Sequence, residues 1–161
     1  MTISIRAATT ADLPATREFL VATWHDTYDG LIGPAKVTEL TDRWHKLETL
    51  AGQIDMPGTS FLVAETPSAG IVGHAFGQAR SPPILALARL YVLPSHQRQG
   101  IGGRLLAALV ARHPEATCIR LHVEAANTKG VVFYRRQGFV NAGEVVEDGL
   151  KTLRLEKILV G

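Results

Sequence analysis

Three glycines within four positions are the first feature of this sequence that could do chemistry. They lie in the stretch Leu90 to Arg104, which reads LYVLPSHQRQGIGGR and is followed by LLAALV; this predicts a strand, a turn and a helix. Glycine lets the backbone approach a ligand closely, and the first N–H groups of a helix have no intrahelical partner. The turn therefore predicts an anion site, with phosphate as the usual occupant and Arg98 beside it.

The glycine turn alone does not identify its ligand. It lacks the GKS or GKT ending of a P-loop, and G-I-G-G-R lacks the third glycine of a dinucleotide fingerprint. A tight turn that needs glycine only for its geometry is therefore an alternative at this point. If a phosphate does bind, valine at Gly102 should block it while leaving the fold intact.

A second pair of polar residues follows in the segment NTKGVVFYRRQGF. Asn127 is predicted to cap a helix of about nine residues that ends at Gly138, a good left-handed C-cap. Tyr134 lies seven residues after Asn127, about two helical turns, so both side chains share a face. The alternatives are that Asn127 is only a helix cap and that Tyr134 is only a packed aromatic.

Taken together, the two segments resemble motifs of the GNAT superfamily of acetyl-CoA-dependent N-acetyltransferases. Gln97-x-x-Gly100-x-Gly102 is similar to its pyrophosphate-binding motif Q/R-x-x-G-x-G/A, and Asn127 to Phe139 is similar to its second motif, which ends F-Y-x-x-x-G-F. The resemblance covers nearly the whole chain in the order of its elements. It implies an α/β (α+β) fold with a mixed, mostly antiparallel central sheet of six to seven strands, flanked by about four helices.

The resemblance also implies roles for individual residues. Acetyl-CoA would be the co-substrate, Asn127 would contact its pantetheine arm, and Tyr134 would protonate the departing thiolate. A backbone N–H of Leu90 to Leu93 would stabilise the oxyanion. The implied cofactor-binding residues are Tyr91, Val92, Leu93, Gln97, Arg98, Gln99, Gly100, Ile101, Gly102, Gly103, Arg104, Asn127, Phe133 and Tyr134.

The general base cannot be taken from the resemblance. Similar proteins often carry a glutamate in the strand before the turn, but here Ile84 to Val92 contains Arg89 and no carboxylate. An alkylammonium with a pKa of about 10 must lose a proton before it attacks. His122, Glu124 and His74 are the candidates on neighbouring strands. We expect His122 to be the catalytic base, because imidazole titrates near neutrality.

The acceptor site is predicted on the first helices. The pattern W-H-D-T-Y-D-G-L resembles segments of bacterial small-molecule members of the superfamily. Trp24 and Tyr28 would wall the substrate pocket, and Asp26 could attract an amine. Core aromatics on an amphipathic helix are an equally good interpretation. The six histidines show no metal-ligand spacing, so no metal is expected.

Hydrophobic periodicity predicts the remaining elements. Helices are expected from Ala11 or Asp12 to the Gly30 and Gly33 region, from Pro34 to Ala51, from Gly100 to before Pro114, and after Asn127. Asp148-Gly149 is a hairpin signal between the last two strands. The predicted strands are Ile3–Ala7, Phe61–Glu65, Ile71–Arg80, Ile84–Leu93, Thr117–Glu124, Phe139–Glu147 and Leu150–Leu159.

Length and composition limit the class of protein. The 161 residues predict one domain, residues 1–161. A net charge of +2 argues against nucleic acid, and neither a secretory signal nor a membrane span is visible. A single cysteine favours a reducing, cytoplasmic compartment.

The expected function is transfer of acetyl from acetyl-CoA to a primary amine of a small molecule. Two alternatives are a peptide or protein amine acetyltransferase and a non-catalytic acyl-CoA-binding sensor. A homodimer is a superfamily tendency.

Overall fold

Seven strands and five α-helices make up this computed structural model, which describes residues 2–81, 83–147 and 149–159. The helices are α1 (Leu13–Ile32), α2 (Pro34–Trp44), α3 (Leu47–Ile54), α4 (Ile101–Ala111) and α5 (Thr128–Arg136). The strands are β1 (Ser4–Ala7), β2 (Thr59–Thr66), β3 (Gly70–Ser81), β4 (Ile84–Val92), β5 (Cys118–Glu124), β6 (Val140–Glu147) and β7 (Leu150–Ile158).

All seven strands belong to one sheet in the order β1-β2-β3-β4-β5-β7-β6. Every neighbouring pair is antiparallel except β4 and β5. The predicted mixed, mostly antiparallel sheet is therefore confirmed, and the apolar strand β4 is central, as expected for a strand covered on both faces. Strands β6 and β7 form the expected hairpin, although Asp148 of its predicted turn lies outside the described residues.

Five helices are present, not about four, because the helix predicted from Pro34 to Ala51 is broken. Helix α2 ends at Trp44 with His45 as its C-cap, and Lys46 has an extended backbone with φ −70° and ψ 154° before α3 begins. The first helix ends within the predicted Gly30 and Gly33 region, since α1 continues past Gly30 to Ile32 and is capped by Gly33, whose φ is +89°. A glycine inside a helix costs only about 1 kcal/mol relative to alanine, so a well-packed helix can contain Gly30.

Helix α4 covers one face of the sheet and sits very close to β3. A Cβ atom added to Gly73 would lie 2.9 Å from Leu105 Cδ1, and one added to Gly77 would lie 2.8 Å from Leu109 Cδ2. These two glycines therefore allow the close approach that their position in the strand predicts. Helices α1 and α3 contact the sheet at β3 and β2, beside a second buried cluster that includes Phe61 and Phe76.

Strands β4 and β5 separate toward their carboxyl ends. Their parallel pairing covers only Ile84–Leu87 and Cys118–Leu121, although β4 continues to Val92 and β5 to Glu124. Ala88 is an extra residue in β4, because Phe76 pairs with Arg89 while the next residue of β3 pairs with Leu87. A bulge of this kind bends a strand and ends its pairing. The sheet is consequently open between the two strand ends.

No helix in the described part of the chain is long and apolar enough to cross a membrane.

Candidate active site

A cavity of about 1510 Å³ lies where β4 and β5 separate. One part, which we call the cofactor half, is lined by the end of β4, the glycine turn, β5 and α5. The other part, the acceptor half, is lined by α1, the α2–α3 break, α3 and the middle of β4. The two motifs that were separate in the sequence thus border one space.

The glycine turn is arranged to present backbone N–H groups. Gly100 is left-handed with φ +79°, and Arg98 is also left-handed with φ +64°. The first backbone bond of α4 runs from Arg104 N to Gly100 O at 3.1 Å. The amides of 101–103 therefore have no partner within the helix, and they lie at the positive end of its dipole.

Packing is a second reason for glycine at position 102, besides the close approach of a ligand to the turn. A Cβ atom at this position would lie 3.0 Å from Cε1 and Cζ of Phe133. Valine at Gly102 would therefore require the Phe133 ring to shift, so the packing gives no support to the expectation that this substitution leaves the fold intact. At Gly103 a Cβ would meet only the side-chain amide of Gln137, with Nε2 at 3.5 Å, which is an ordinary contact.

The open edge of β4 offers two further N–H groups. Leu93 N donates to Val72 O at 2.9 Å, so the Leu93 amide faces β3. Because N–H groups alternate sides along a strand, those of Leu90 and Val92 face the other edge, where pairing with β5 has ended. These two amides are the candidates for an oxyanion donor.

Eleven of the predicted cofactor-binding residues line the cavity, and three do not. Leu93 packs against the core, and Gln99 is exposed. The Arg104 guanidinium donates to Ile3 O at 3.2 Å, so α4 directs it toward β1 rather than into the cavity. The eleven are Tyr91, Val92, Gln97, Arg98, Gly100, Ile101, Gly102, Gly103, Asn127, Phe133 and Tyr134.

Asn127 and Tyr134 both line the cofactor half. Asn127 caps α5, since its side chain accepts a hydrogen bond from Gly130 N at 3.1 Å. The Tyr134 ring packs edge-on against Phe133 and Phe139, with centroids 5.2 and 5.4 Å away. Burial raises the pKa of Tyr134, and the nearby Tyr91 and Glu124 raise it further. The hydroxyl therefore remains protonated at neutral pH.

Trp24 and Tyr28 are core aromatics and also border the cavity, so the two interpretations that the sequence left open do not exclude each other. Both side chains are buried in a core cluster, and both line the cavity. Trp24 Nε1 donates to the Tyr91 hydroxyl at 3.1 Å, and the Tyr28 hydroxyl donates to Glu124 Oε2 at 2.7 Å. The pKa of Tyr91 is raised to about 12, and that of Tyr28 is also raised, in both cases mainly by burial.

Two of the three candidates for a general base line the cavity. His122 is exposed on β5, and Glu124 follows two residues later on the same side of the strand. His74 is fully buried, so its candidacy is wrong. Its Nε2 accepts from Arg89 Nε at 3.0 Å and its Nδ1 donates to Leu62 O at 2.8 Å. Burial and Arg89 hold the pKa of His74 well below its ordinary value.

Sequence reasoning assigned no role to Arg89, His45 and Gln53, which are among the polar residues of the acceptor half. Arg89 was visible as the single charge in an otherwise apolar central strand, and that was the available signal. Nothing local marked His45 or Gln53, because only the packing of α2 and α3 places them in the half of the cavity that contains Arg89. Within residues 2–81, 83–147 and 149–159, no group of three or more His, Cys, Asp or Glu side chains is placed to hold a metal ion.

Comparisons with known proteins agree with this geometry. The acetyltransferase (GNAT) domain family matches residues 19–159. A protein of Mycobacterium tuberculosis named as a probable N-acetyltransferase is 30% identical over 139 residues, which are 85% of this chain and 79% of that protein.

Two solved structures are similar over nearly their full length. The PaiA N-acetyltransferase from Thermoplasma acidophilum, in complex with coenzyme A, has a TM-score of 0.87 and 25% identity, covering 99% of this chain and all of that one. The ribosomal-protein-alanine N-acetyltransferase from Brucella melitensis has a TM-score of 0.69 and 26% identity, covering 97% and 99% of the two chains.

Proposed function

Because this chain belongs to the GNAT family of acetyltransferases and is an N-acetyltransferase, we propose that it transfers the acetyl group of acetyl-CoA to a primary amine of a small molecule. One observation carries the proposal. The unpaired amides of the α4 turn, the open edge of β4 and the Tyr134 hydroxyl border the same cavity. A ligand with a pyrophosphate, an extended amide-containing arm and a reactive end fits that order of groups.

The residues of the cofactor half fit acetyl-CoA. The amides of 101–103 would bind the pyrophosphate, because they are free and lie at a helix N-terminus. A Cβ at Gly100 or Gly103 would contact nothing closer than 3.5 Å, so there is space on this side of the turn. The unpaired edges of β4 and β5, together with Asn127, would hold the pantetheine arm, since its amides can replace the missing strand partner.

Acetyl-CoA, when bound, supplies the thioester carbonyl that the amine attacks. An N–H of Leu90 or Val92 on the open edge of β4 would donate to the carbonyl oxygen as negative charge develops there. Tyr134 would give its proton to the thiolate, because a phenol is protonated at neutral pH and this hydroxyl borders the cavity. These two groups act on opposite ends of the breaking bond.

The acceptor amine would enter from the α1 side of the cavity. Glu124, held by Tyr28 at 2.7 Å, supplies a negative charge that attracts an ammonium group. His122 lies two residues away on the same side of the strand, about 7 Å along it. We assign to His122 the acceptance of the ammonium proton, directly or through bound water.

A small acceptor is favoured over a peptide by the walls of the acceptor half. Helices α1, α2 and α3 border it, and its polar residues His45 and Arg89 are only 4% and 7% exposed. Such buried groups can be reached by a small molecule more readily than by a protein chain. The alternative of a non-catalytic sensor is not supported, because the chain is an N-acetyltransferase.

The test measures free thiol released from acetyl-CoA in the presence of amino acids, polyamines, aminoglycosides and short peptides, with mass spectrometry of the acetylated product. Reactions without amine provide the background. We expect thiol release and an acetylated product with at least one class of small amine. Activity with peptides alone would make the enzyme a peptide acetyltransferase, and thiol release with none of the amines would overturn the proposed reaction.

A further inference from the structure

Arg89 is a buried cation on the wall of the acceptor half. Its side chain is 7% exposed, and its guanidinium lies over the rings of Phe76 and Phe61, 4.7 and 5.5 Å from their centroids. Nε donates to His74 Nε2 at 3.0 Å, and one terminal nitrogen donates to Gln53 Oε1 at 2.8 Å. All four surrounding groups are neutral, so none of them balances the charge.

A buried arginine without a carboxylate is unusual, because charges are rarely buried unless they are paired. In the described part of the chain no Asp or Glu forms an ion pair with Arg89, and Nη1 has no hydrogen-bond partner. Burial lowers the pKa of Arg89 to about 10, so the group is still positively charged at neutral pH. The site therefore has an uncompensated positive charge and a free donor.

His45 adds a second unsatisfied group to the same wall. It is 4% exposed, and its Nδ1 is buried without a hydrogen-bond partner among the described residues. Burial, followed by the charges of Arg89 and Arg17, lowers the pKa of His45 to about 3. The imidazole is consequently neutral, and in the tautomer with hydrogen on Nδ1 it is a donor.

Resting on the acetyl transfer proposed above, we propose that Arg89 binds a carboxylate of the acceptor, with the neutral His45 lining the same half of the cavity, so that the acceptor class is an amine that also carries a carboxylate. A carboxylate would supply the missing negative charge and accept from Arg89 Nη1. Arginine suits this role because its planar fork matches a carboxylate. Gln53 would orient the guanidinium through its 2.8 Å hydrogen bond.

The charges around the cavity fit such a two-charged acceptor. Arg89 lies on β4 beside the α2–α3 break, whereas Glu124 lies at the end of β5 and Asp26 on α1. An ammonium held near Glu124 and a carboxylate held at Arg89 would each meet the opposite charge. A polyamine would instead bring a second cation toward Arg89, so the site disfavours it.

The test compares acceptors that differ only in their anionic group. Amino acids with two to five carbons between amine and carboxylate are compared with their carboxamides, because at these separations the two amines have similar basicity. For the wild-type enzyme we expect the carboxylate to raise kcat/KM at least about tenfold, mainly through KM, as a charge-assisted hydrogen bond should. α-Amino acids and polyamines complete the panel.

Variants of Arg89 test whether this residue causes the preference for the amino acid over its carboxamide. Arg89→Gln should reduce that preference to about twofold or less, and Arg89→Lys should keep part of it. The KM for acetyl-CoA should stay unchanged in both variants. Arg120→Gln is the matched control, because Arg120 is ion-paired with Glu156 and does not line the cavity; it should keep the full preference. Equal rates for acid and amide in the wild type, or a preference that survives Arg89→Gln, would overturn the carboxylate site.

A binding measurement separates this inference from the proposed reaction. Trp24 and Trp44 are the two tryptophans of the chain and both line the cavity, so their fluorescence should report binding of butyrate, a carboxylate without an amine. Butyrate should quench or enhance the wild-type signal in a saturable way, and butyramide should not. If no amine is acetylated but butyrate binds, the reaction fails and the carboxylate site stands; no saturable butyrate signal would contradict the site.

Discussion

The Tyr134 hydroxyl differs from the other two tyrosine hydroxyls of the cavity. The Tyr28 hydroxyl donates to Glu124, and the Tyr91 hydroxyl accepts from Trp24, at 2.7 and 3.1 Å. Across the described residues the Tyr134 hydroxyl has no such partner, although its ring is buried between two phenylalanines. Its proton is thus available to a ligand, whereas the other two hydroxyls already hold side chains in position.

We expect Tyr134→Phe to lower kcat on the order of 10²-fold, because it removes the proton donor while keeping the packed ring. The KM for acetyl-CoA should change by less than about twofold, since the ring contacts remain. Steady-state kinetics measure both constants, and Tyr91→Phe is the control with the same atom removed. Full activity of Tyr134→Phe would make Tyr134 a packing residue.

His122→Gln should remove the pH dependence that deprotonation of the acceptor imposes. In the wild type kcat/KM should rise with pH and level off, because an imidazole accepts a proton only when it is neutral. Profiles of kcat/KM between pH 5.5 and 9 test this prediction. Glu124→Gln is the comparison, since it should raise the acceptor KM and keep the inflection. An unchanged profile in His122→Gln, with the inflection lost in Glu124→Gln, would transfer the role to Glu124.

At the scale of elements, the bulge at Ala88 decides where the site lies. Without the extra residue, β4 and β5 could pair beyond Leu87 and Leu121, and the amides of Leu90 and Val92 would be used within the sheet. The bulge also lets Arg89 and Tyr91 lie on the α1 side while Leu87 packs under α4. One irregular residue therefore opens the sheet and orients the acceptor half.

The glycines at the start of α4 give a prediction at this scale. Gly103→Val should weaken acetyl-CoA binding at least about tenfold, with little change in Tm, because the new side chain meets only the flexible end of Gln137. Gly102→Val should weaken binding and also lower Tm by several degrees, because it collides with Phe133. Calorimetry and thermal unfolding measure the two effects. Unchanged acetyl-CoA affinity in Gly103→Val would remove the turn from the cofactor site.

At the scale of the whole molecule, the acceptor half is built from buried polar groups that do not satisfy one another. Arg89 is charged, and His45 and His74 are kept neutral by burial and by the arginine. Burying such groups without full partners reduces the stability of a fold. An enzyme retains that arrangement where a ligand completes it, which agrees with a carboxylate-bearing acceptor.

The two buried histidines predict acid sensitivity. An unfolded histidine takes up a proton below about pH 6.5, whereas folded His45 stays neutral down to about pH 3, so the unfolded state binds more protons between these values. Stability is therefore fully present above about pH 6.5 and falls as the pH is lowered, by about 1.4 kcal/mol per pH unit for each histidine. Urea unfolding at pH 7 and pH 5 measures this change.

In His45→Gln the free energy of unfolding should fall less steeply as the pH is lowered, by the contribution of one histidine, because glutamine does not titrate. His122→Gln is the control, since His122 is exposed in the folded state as well. The same pH dependence in His45→Gln and the wild type would contradict the neutral state of His45.

The sequence by itself determined the features that depend on neighbours within a few residues. The glycine turn before α4, the Asn127 cap, the left-handed Gly138 and the central position of apolar β4 all follow from local spacing. Backbone hydrogen bonds of helices and turns connect residues three or four apart, so residue types at that spacing carry the information. The two family motifs are of this local kind.

Only the tertiary structure decided which side chains share a wall of the cavity. Tyr28 meets Glu124 from 96 positions away, and Arg89 meets Gln53 from 36 positions away. The break at Lys46, which leaves His45 beside Arg89 in the acceptor half, is likewise absent from the hydrophobic period of the segment. Contacts of this kind depend on how helices pack on the sheet, and packing responds to the shape of the whole core rather than to any local pattern.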